Sequence, residues 1–328
     1  MAKHQSIVIV SDIHYAGPDE RARGWKEDEI ISQPALRLTV SAYRHFLWKR
    51  DPFAHNYLLD LFLDRIDGSL PVIANGDYSC DTDFVGVSDA AARQSAAMCL
   101  AKLRQRLGSN LQTVIGDHEL GKMSLFGGRG GMRLASWHRT LDALQLIPFW
   151  KLELGRNVLI GVTSSLIALP VYEPETLPEE RRDWQLLRAE HLELVRRAFD
   201  ALKPKERVLL FCHDPTALPF LYREAAVRAK LGQIDKTVIG HLHSRWLWRI
   251  SRMLSGMPVV PFLGNTMRRL SEALREGRSW SHFRILLCPA LTGIELAKDG
   301  GFYHAELDWD AAKPARFFFQ PIPWRNQL

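Results

Sequence analysis

Five short apolar runs, each followed within two residues by an aspartate or histidine, constrain what this chain can fold into more than any other feature. They are Ser6–Ser11 (SIVIVS), Pro71–Asn75 (PVIAN), Leu111–Gly116 (LQTVIG), Val208–Cys212 (VLLFC) and Thr237–Gly240 (TVIG). A sixth run, Val158–Val162 (VLIGV), has the same character. Near-continuous β-branched and aliphatic runs of this length suit strands covered on both faces, which is the pattern of an α/β fold. Helical stretches lie between them. Ala90–Leu107 lacks Pro and Gly and stops before Gly108, and Arg182–Phe199 and Ala217–Leu231 read similarly. Past Gly240 the pattern shifts to strand-like stretches at Pro258–Gly264, His282–Leu287, Gly293–Ala297 and Phe302–Leu307, with one helix near Arg268–Arg275. That shift predicts a mostly antiparallel C-terminal part joined to the α/β part.

The chain has 328 residues without repeats or low-complexity segments, and it reads as a single domain over 1–328. Gly17–Ser69 separates the first two strands by more than fifty residues, far beyond an ordinary connection. Leu36, Val40, Tyr43 and Leu47 fall at helical spacing there, as do Tyr57, Leu58, Leu61 and Phe62. The expectation is a helical insertion over 17–69, placed to act as a lid, and a C-terminal tail over 308–328. No apolar run approaches the ~18 residues of a membrane span, and MAKHQSIVIVSD is too short for a secretory leader. Cys80, Cys99, Cys212 and Cys288 form no CxxC pair and read as buried free thiols of a reducing cytoplasm. A net charge of +6 favours anionic substrates or surfaces but is too small to name nucleic acid.

The chemistry sits directly after the runs. They are followed by Asp12-Ile13-His14, by Gly76-Asp77-Tyr78-Ser79-Cys80-Asp81, by Gly116-Asp117-His118-Glu119, by His213-Asp214, and by His241-Leu242-His243. Ligands of open α/β sheets bind at the carboxyl ends of strands, so strand ends sharing one sheet would bring these groups to a common rim. In Asp-x-His and His-x-His, side chains two apart on extended backbone point the same way and can reach one site. A donor set of Asp and His without Cys suits Mn²⁺ first, with Fe or Zn²⁺ as alternatives. Seven candidate ligands are too many for one ion and fit two divalent ions sharing a carboxylate, the clamp that hydrolyses phosphate esters.

In order and spacing, DIH, GDYSCD, GDHE, CHD and GHLH resemble the signature of the calcineurin-like metallophosphoesterases. The resemblance covers Asp12 to His243 and implies a two-sheet β-sandwich flanked by helices. It implies that Asp12, His14 and His243 hold a first metal, that Asp77 bridges, and that Asp117, His213 and His241 hold a second. His118 would be the acid that assists the leaving oxygen, with Glu119 orienting its ring. The activity implied is hydrolysis of a phosphoric ester by a metal-bridging hydroxide, with phosphodiester or pyrophosphate bonds favoured. A nuclease of the same fold and a non-catalytic scaffold are the rival readings. Asp117 departs from the signature, which has Asn there. The extra carboxylate cancels one positive charge of the centre, and a charge ~4 Å away is worth up to about 4 kcal/mol at an effective dielectric of ~20.

Other features admit two readings each. Arg129 and Arg133, in or beside the glycine-rich stretch Gly127–Gly131, either reach a substrate phosphate or belong to a surface loop. Ser164-Ser165 and Gly264-Asn265-Thr266 also follow apolar runs, as candidate hydrogen-bonding groups. Asp81 and Asp214 read as turn or supporting groups. His45, His55, His138, His191, His282 and His304 read as surface or packing residues. Aromatic and basic residues gather at Tyr43–Phe53, at Trp246–Arg252, at Trp25 and in PARFFFQPIPWRNQL. They would pack the insertion and tail onto the domain, grip the apolar part of a phosphorylated or nucleotide-linked substrate, or touch anionic lipid.

Overall fold

The structure is a computed structural model that describes residues 4–24, 31, 33–48, 50–124, 128–260 and 265–324, leaving out the side chains of 265–267 and 270. Trp25, Gly127, Gly264, the side chains of Asn265 and Thr266, and the last four residues of the tail therefore lie outside the description.

Ten strands occur among the described residues: β1 (His4–Val10), β2 (Val72–Asn75), β3 (Leu111–Val114), β4 (Phe149–Leu154), β5 (Asn157–Val162), β6 (Arg207–Cys212), β7 (Ile234–Ile239), β8 (Ile285–Leu287), β9 (Gly301–Asp308) and β10 (Arg316–Pro321). They form two five-stranded sheets, ordered β10-β9-β1-β2-β3 and β4-β5-β6-β7-β8. β1, β2 and β3 run parallel, as do β5 to β8, while β4, β9 and β10 are antiparallel to their neighbours. Ile7, Ile9, Ile73 and Val114 of the first sheet meet Trp150, Leu159, Leu209, Phe211 and Val238 of the second in one buried cluster. The opposite faces carry the helices. This is the two-sheet sandwich flanked by helices that the motifs imply.

The six apolar runs are all strands, most of them buried on both faces, though Leu111, Gln112 and Thr113 of β3 are only half-buried. β2, β5 and β6 consist almost wholly of buried residues. The helix Ala90–Leu107 is capped at its start by the Asp89 carboxylate, which accepts the Ala92 N–H at 2.9 Å, and it stops at Gly108 with φ 52°. Asp89 is held in turn by a two-pronged Arg23 contact at 2.8 and 2.9 Å.

Several expectations are corrected. The motif-bearing strands do not share a sheet: β1, β2 and β3 lie in one, β6 and β7 in the other. Ala217–Leu231 is two short helices, Leu218–Arg223 and Ala225–Ala229, broken at Glu224, whose extended backbone lets its carboxylate take the Arg196 guanidinium at 2.7 Å. In the C-terminal part β9 and β10 are antiparallel as expected, but the other expected strands differ. Residues 258–260 form no strand, Gly293–Ala297 is loop and turn, and the short β8 is parallel to β7. The aromatic and basic stretch after His243 is the helix Arg245–Met253. Residues 316–321 are not a loose tail but the edge strand β10.

The 17–69 span also divides into unlike pieces. Pro18–Arg23 is a short helix whose Glu20 is fully buried. Tyr57–Arg65 is a core helix that buries Leu58, Leu59 and Phe62, with the Phe62 ring edge-on to Phe302 at 5.0 Å. It serves as the crossover helix between the parallel strands β1 and β2. Among the described residues of the span, only Pro34–Tyr43, continued by a π-helical turn at Arg44–Trp48, stands out from the domain, with Val40 its one buried residue.

Two measurements check this division and the buried histidine His191. Phe62→Ala is expected to cost about 3–5 kcal/mol in urea unfolding, whereas Phe46→Ala, at a site 65% exposed, should stay within about 0.5 kcal/mol. His191 Nε2 accepts the Thr163 N–H at 3.1 Å, and burial pushes its pKa down to about 4. Below pH ~6.5 the unfolded chain takes up a proton that the folded ring refuses until about pH 4, so stability falls as pH falls across that window. The contribution is about 3 kcal/mol, and His191→Gln should flatten the urea midpoint between those pH values by that amount.

Candidate metal centre

Three of the five motifs leave their strands through a backbone bend that few residues adopt. Asp12, His14, Asp77, His241 and His243 have φ of 50°, 48°, 60°, 61° and 58°, all in the left-handed region. Side chains of this kind sit there at a cost of order 1–3 kcal/mol each, and such residues cluster at functional sites. The pairs Asp12/His14 and His241/His243 converge through these bends and not through the extended backbone that the spacing suggested. Two glycines make the approach possible. A Cβ on Gly116 would lie 2.2 Å from Asp77 Oδ1, and one on Gly240 would lie 2.4 Å from Asp12 Oδ2.

The result is two groups of donor atoms, each spanning less than 4.8 Å: Asp12, His14, Asp77 and His243, and Asp77, Asp117, His213 and His241. Asp77 belongs to both. All seven candidate ligands are thus brought together, although they come from five strand ends and two sheets.

The donors face one another with their acceptor sides. The His14 Nδ1–H donates to the Ser79 carbonyl at 3.3 Å, so its Nε2 presents a lone pair in the neutral ring, 3.1 Å from His243 Nε2. The His213 Nδ1–H donates to the Asn75 carbonyl at 2.6 Å. That leaves His213 Nε2 aimed at Asp77 Oδ2 at 3.1 Å and Asp117 Oδ1 at 3.2 Å. The fully buried Asp77 Oδ2 thus faces imidazole nitrogens on three sides, with His118 Nε2 at 3.7 Å and His14 Nε2 at 3.9 Å beyond His213. Buried acceptors without donors cost free energy unless a cation or proton lies among them. Protons supply part of that charge in the metal-free protein. Burial would depress His213, but the carboxylates of Asp77 and Asp12 hold its pKa well above the ordinary value. Burial raises Asp12 to about 6; at Asp77 it is outweighed by His118 and His213, which hold that carboxyl at about 2. An array of carboxylates and imidazoles fixed through their far nitrogens fits divalent cations.

The loops that carry these ligands are fixed from behind by two buried glutamates. Glu119 accepts the N–H groups of Gly116, Tyr78 and Asp77 at 2.8, 2.8 and 3.1 Å, tying the β2 and β3 exits together. Glu20 accepts those of Thr82 and Cys80 at 3.1 and 3.3 Å. Glu119 therefore does not orient His118. The ring of His118 lies edge-on to His14 at 4.6 Å, and its Nε2 meets Lys122. Burial lowers the His118 pKa to about 4, so the ring is neutral near pH 7.

Lys122 is the residue that sequence reasoning missed. It follows His118 by four positions, and its ammonium lies 3.2 Å from Asp117 Oδ2. The charge that distinguishes Asp117 from the Asn of the signature is thus opposed on the spot. Burial would raise the Asp117 carboxyl, but Lys122 and His241 hold it well below the carboxylate range. The Lys122 loop is fixed in turn: the Met123 N–H donates to Glu175 at 3.0 Å, and the Met123 carbonyl accepts from Arg269 at 3.3 Å. A lysine after a GDHE motif carries no pattern of its own; only the extra charge at Asp117 signals that a cation should be near.

The arginines proposed for substrate point elsewhere. Arg129 pairs with Asp83. Arg133 donates to the carbonyls of Gly130 and Met132 at 2.6 and 2.9 Å and so closes its own loop. Asp81 accepts the Gly86 N–H at 2.8 Å, and Asp214 caps a turn through Thr216 at 2.8 Å, so both support backbone. Ser164 Oγ accepts the Asp214 N–H at 3.1 Å. Trp48 lies over His243, ring centres 4.5 Å apart.

No family model matches the chain, and no curated protein matches it. Among solved structures it is similar to a purple acid phosphatase from yellow lupin (Lupinus luteus) seeds, at 12% identity and a TM-score of 0.42, covering 98% of this chain and 52% of that one. The chain thus spans about half the length of that phosphatase. It is also similar to the phosphopantetheinyl hydrolase of Mycobacterium tuberculosis, at 14% identity and a TM-score of 0.35 over 74% of this chain and 84% of that one. A predicted phosphoesterase of Streptococcus pneumoniae matches at 11% identity and a TM-score of 0.28 over 98% and 100%. Likeness at this level carries no argument; the strand order and the geometry of the centre bear the weight.

The Lys122–Asp117 pair gives a test that needs no metal. Lys122→Met in the metal-free protein is expected to lower stability by about 2 kcal/mol, less than the 3–5 kcal/mol of a fully buried pair because His213 and His241 still face the carboxylate. Adding Asp117→Asn should restore most of that loss in urea unfolding, since the charge left unpaired is then gone.

Proposed function

We propose that the chain is a calcineurin-like metallophosphoesterase, a hydrolase of phosphoric esters working through a binuclear centre. The observation that carries this is Asp77, one buried carboxylate shared by two four-residue donor groups. Asp12, His14 and His243 with Asp77 would hold one ion, and Asp117, His213 and His241 with Asp77 the other. The oxygen and nitrogen donors suit Mn²⁺, with Fe or Zn²⁺ as alternatives. Such a pair of ions, when bound, lowers the pKa of water and neutralises phosphoryl oxygens.

The chain's own groups then divide the remaining work. Glu119 and Glu20 hold the ligand loops rigid, which fixes the separation of the donors. The Lys122 ammonium donates to the neutral His118 ring across their contact, which places a proton donor where the leaving oxygen would depart. Lys122 also restores the positive charge that Asp117 removes, so an anionic phosphate is still attracted. Trp48 over His243 supplies an apolar wall beside the centre. That wall supports a substrate with a sizeable group beyond the phosphate, hence a diester or pyrophosphate such as a nucleotide-linked small molecule. Four buried free thiols support a reducing, cytoplasmic setting.

Purified protein loaded with Mn²⁺ is expected to hold about two ions per chain by elemental analysis and to hydrolyse bis(p-nitrophenyl) phosphate faster than the monoester. Asp77→Asn should reduce both metal content and kcat, the latter beyond the ~100-fold that loss of a supporting partner costs. Protein that binds no metal and turns over neither ester would leave the scaffold reading instead.

A further inference from the structure

Half of the large exposed hydrophobic side chains among the described residues lie on two short segments. Leu38, Tyr43, Phe46 and Leu47 belong to the stretch 34–48, and Trp246, Met253 and Leu254 to the helix Arg245–Met253 and its end. Leu38 is 72% exposed, Phe46 65% and Met253 84%, so these are whole side chains in water and not edges of a core. Scattered single apolar residues need no explanation, but a concentration of this kind marks a contact surface.

The two segments meet at His243. Trp48 ends the first and lies on that ring, while Ser244, directly after His243, caps the second by accepting the Trp246 N–H at 3.2 Å. The carbonyls of Trp48 and Leu47 accept the N–H groups of Glu295 and Leu296 at 2.6 and 3.3 Å, which docks the first segment beside the centre. On the second, Trp246, Arg249 and Met253 recur at helical spacing on the exposed side, while Trp248 packs inward against Trp280 at 5.3 Å.

Their charge is one-sided. No Asp or Glu occurs from Gln33 to Arg50 or from His241 to Met257, while Arg37, Arg50, Arg249 and Arg252 are exposed. Of the adjoining acids, Asp299 accepts from Ser244 Oγ at 2.8 Å, while Glu295 and Asp51 accept the N–H groups of Arg50 and Phe53 at 3.4 and 2.9 Å at the surface. We propose that these two segments bind the surface of an anionic lipid bilayer, with their apolar side chains in the headgroup boundary and their arginines on the lipid phosphates. Apolar anchors interleaved with arginines are what such a surface holds. A second copy of this chain would bring the same arginines against one another across a two-fold contact. Nucleic acid would leave Leu38, Met253 and Leu254 without a partner. No helix among the described residues is long and apolar enough to cross a membrane, so the contact is peripheral.

The test is co-sedimentation of the full chain with phosphatidylcholine vesicles, with and without added phosphatidylglycerol. Binding is expected only with phosphatidylglycerol, and it should weaken as salt shortens the screening length. Arg249→Gln with Arg252→Gln should weaken it about 25-fold, about fivefold for each arginine. Phe46→Glu and Met253→Glu should each weaken it about tenfold or more, while their urea midpoints stay at the wild-type value. Failure of the wild type to bind phosphatidylglycerol vesicles overturns the proposal. So does binding that Phe46→Glu and Met253→Glu leave unchanged, or a dimer in solution that those variants dissolve. Binding does not depend on the hydrolase reading: it should persist in Asp77→Asn, so an inactive protein that still sediments with vesicles sinks only the catalytic assignment.

Discussion

Three carboxylates and four imidazoles, nearly all buried, are held with their acceptor atoms toward one another, and the rest of the structure is arranged around keeping them there. In water such a set would disperse. Here five of the seven are held by bonds outside the donor set or through their loops: His14 and His213 by carbonyls, Asp12 by the Ser11 hydroxyl and the His241 N–H, and Asp77 and Asp117 through loops that Glu119 ties together. The left-handed backbone at five of the seven positions is part of the same device. A strand that continued straight would carry its side chains past the centre, whereas a bend at its last residue turns them into it. The two parallel triplets β1-β2-β3 and β5-β6-β7 are what bring enough strand ends to one place.

Against that background the Asp117–Lys122 contact is a local correction to a global balance. A third carboxylate in a pocket already holding two costs more than it would in water, because burial removes the solvent that would screen it. Lys122 meets that cost from one turn beyond His118, at 3.2 Å from the carboxylate. The same ammonium touches His118, so charge compensation and proton supply reside in one side chain. Asp and Lys together therefore do not simply reproduce Asn: they add an ammonium beside His118 where a neutral amide offers none.

The legible part of the sequence is the part on which burial imposes a composition. β2, β5 and β6 are covered on both faces and have no room for polar residues, so they show as unbroken apolar runs. β4 and β10 are edge strands with one wet face and no β-branched residue in FWKLEL or RFFFQP, and both escape a search for apolar runs. The helix Arg245–Met253 reads as an aromatic cluster because its exposed side carries Trp246 and Met253 where a soluble helix carries charge. At the centre the seven candidate ligands stand out because each lies just beyond a legible strand. The groups that hold them do not, since Glu20, Glu119 and Lys122 act through contacts set by the tertiary fold. Residue spacing also supplies the wrong reason for a correct pairing: Asp12 and His14 converge through bends that alternation cannot show.

The span between β1 and β2 shows how one connection can serve two ends. Its crossover helix Tyr57–Arg65 is ordinary core, and any parallel pair of strands would need one. The short helix with Glu20 reaches back to brace the loop beyond Asp77. Only 34–48 has no such duty, since deleting it would leave both sheets and both glutamate clamps untouched. A segment that leaves most of its apolar side chains in water, buries only Val40 and yet ends with Trp48 against His243 is hard to account for as packing. Its position ties whatever its outer face meets to the one place where the donors converge.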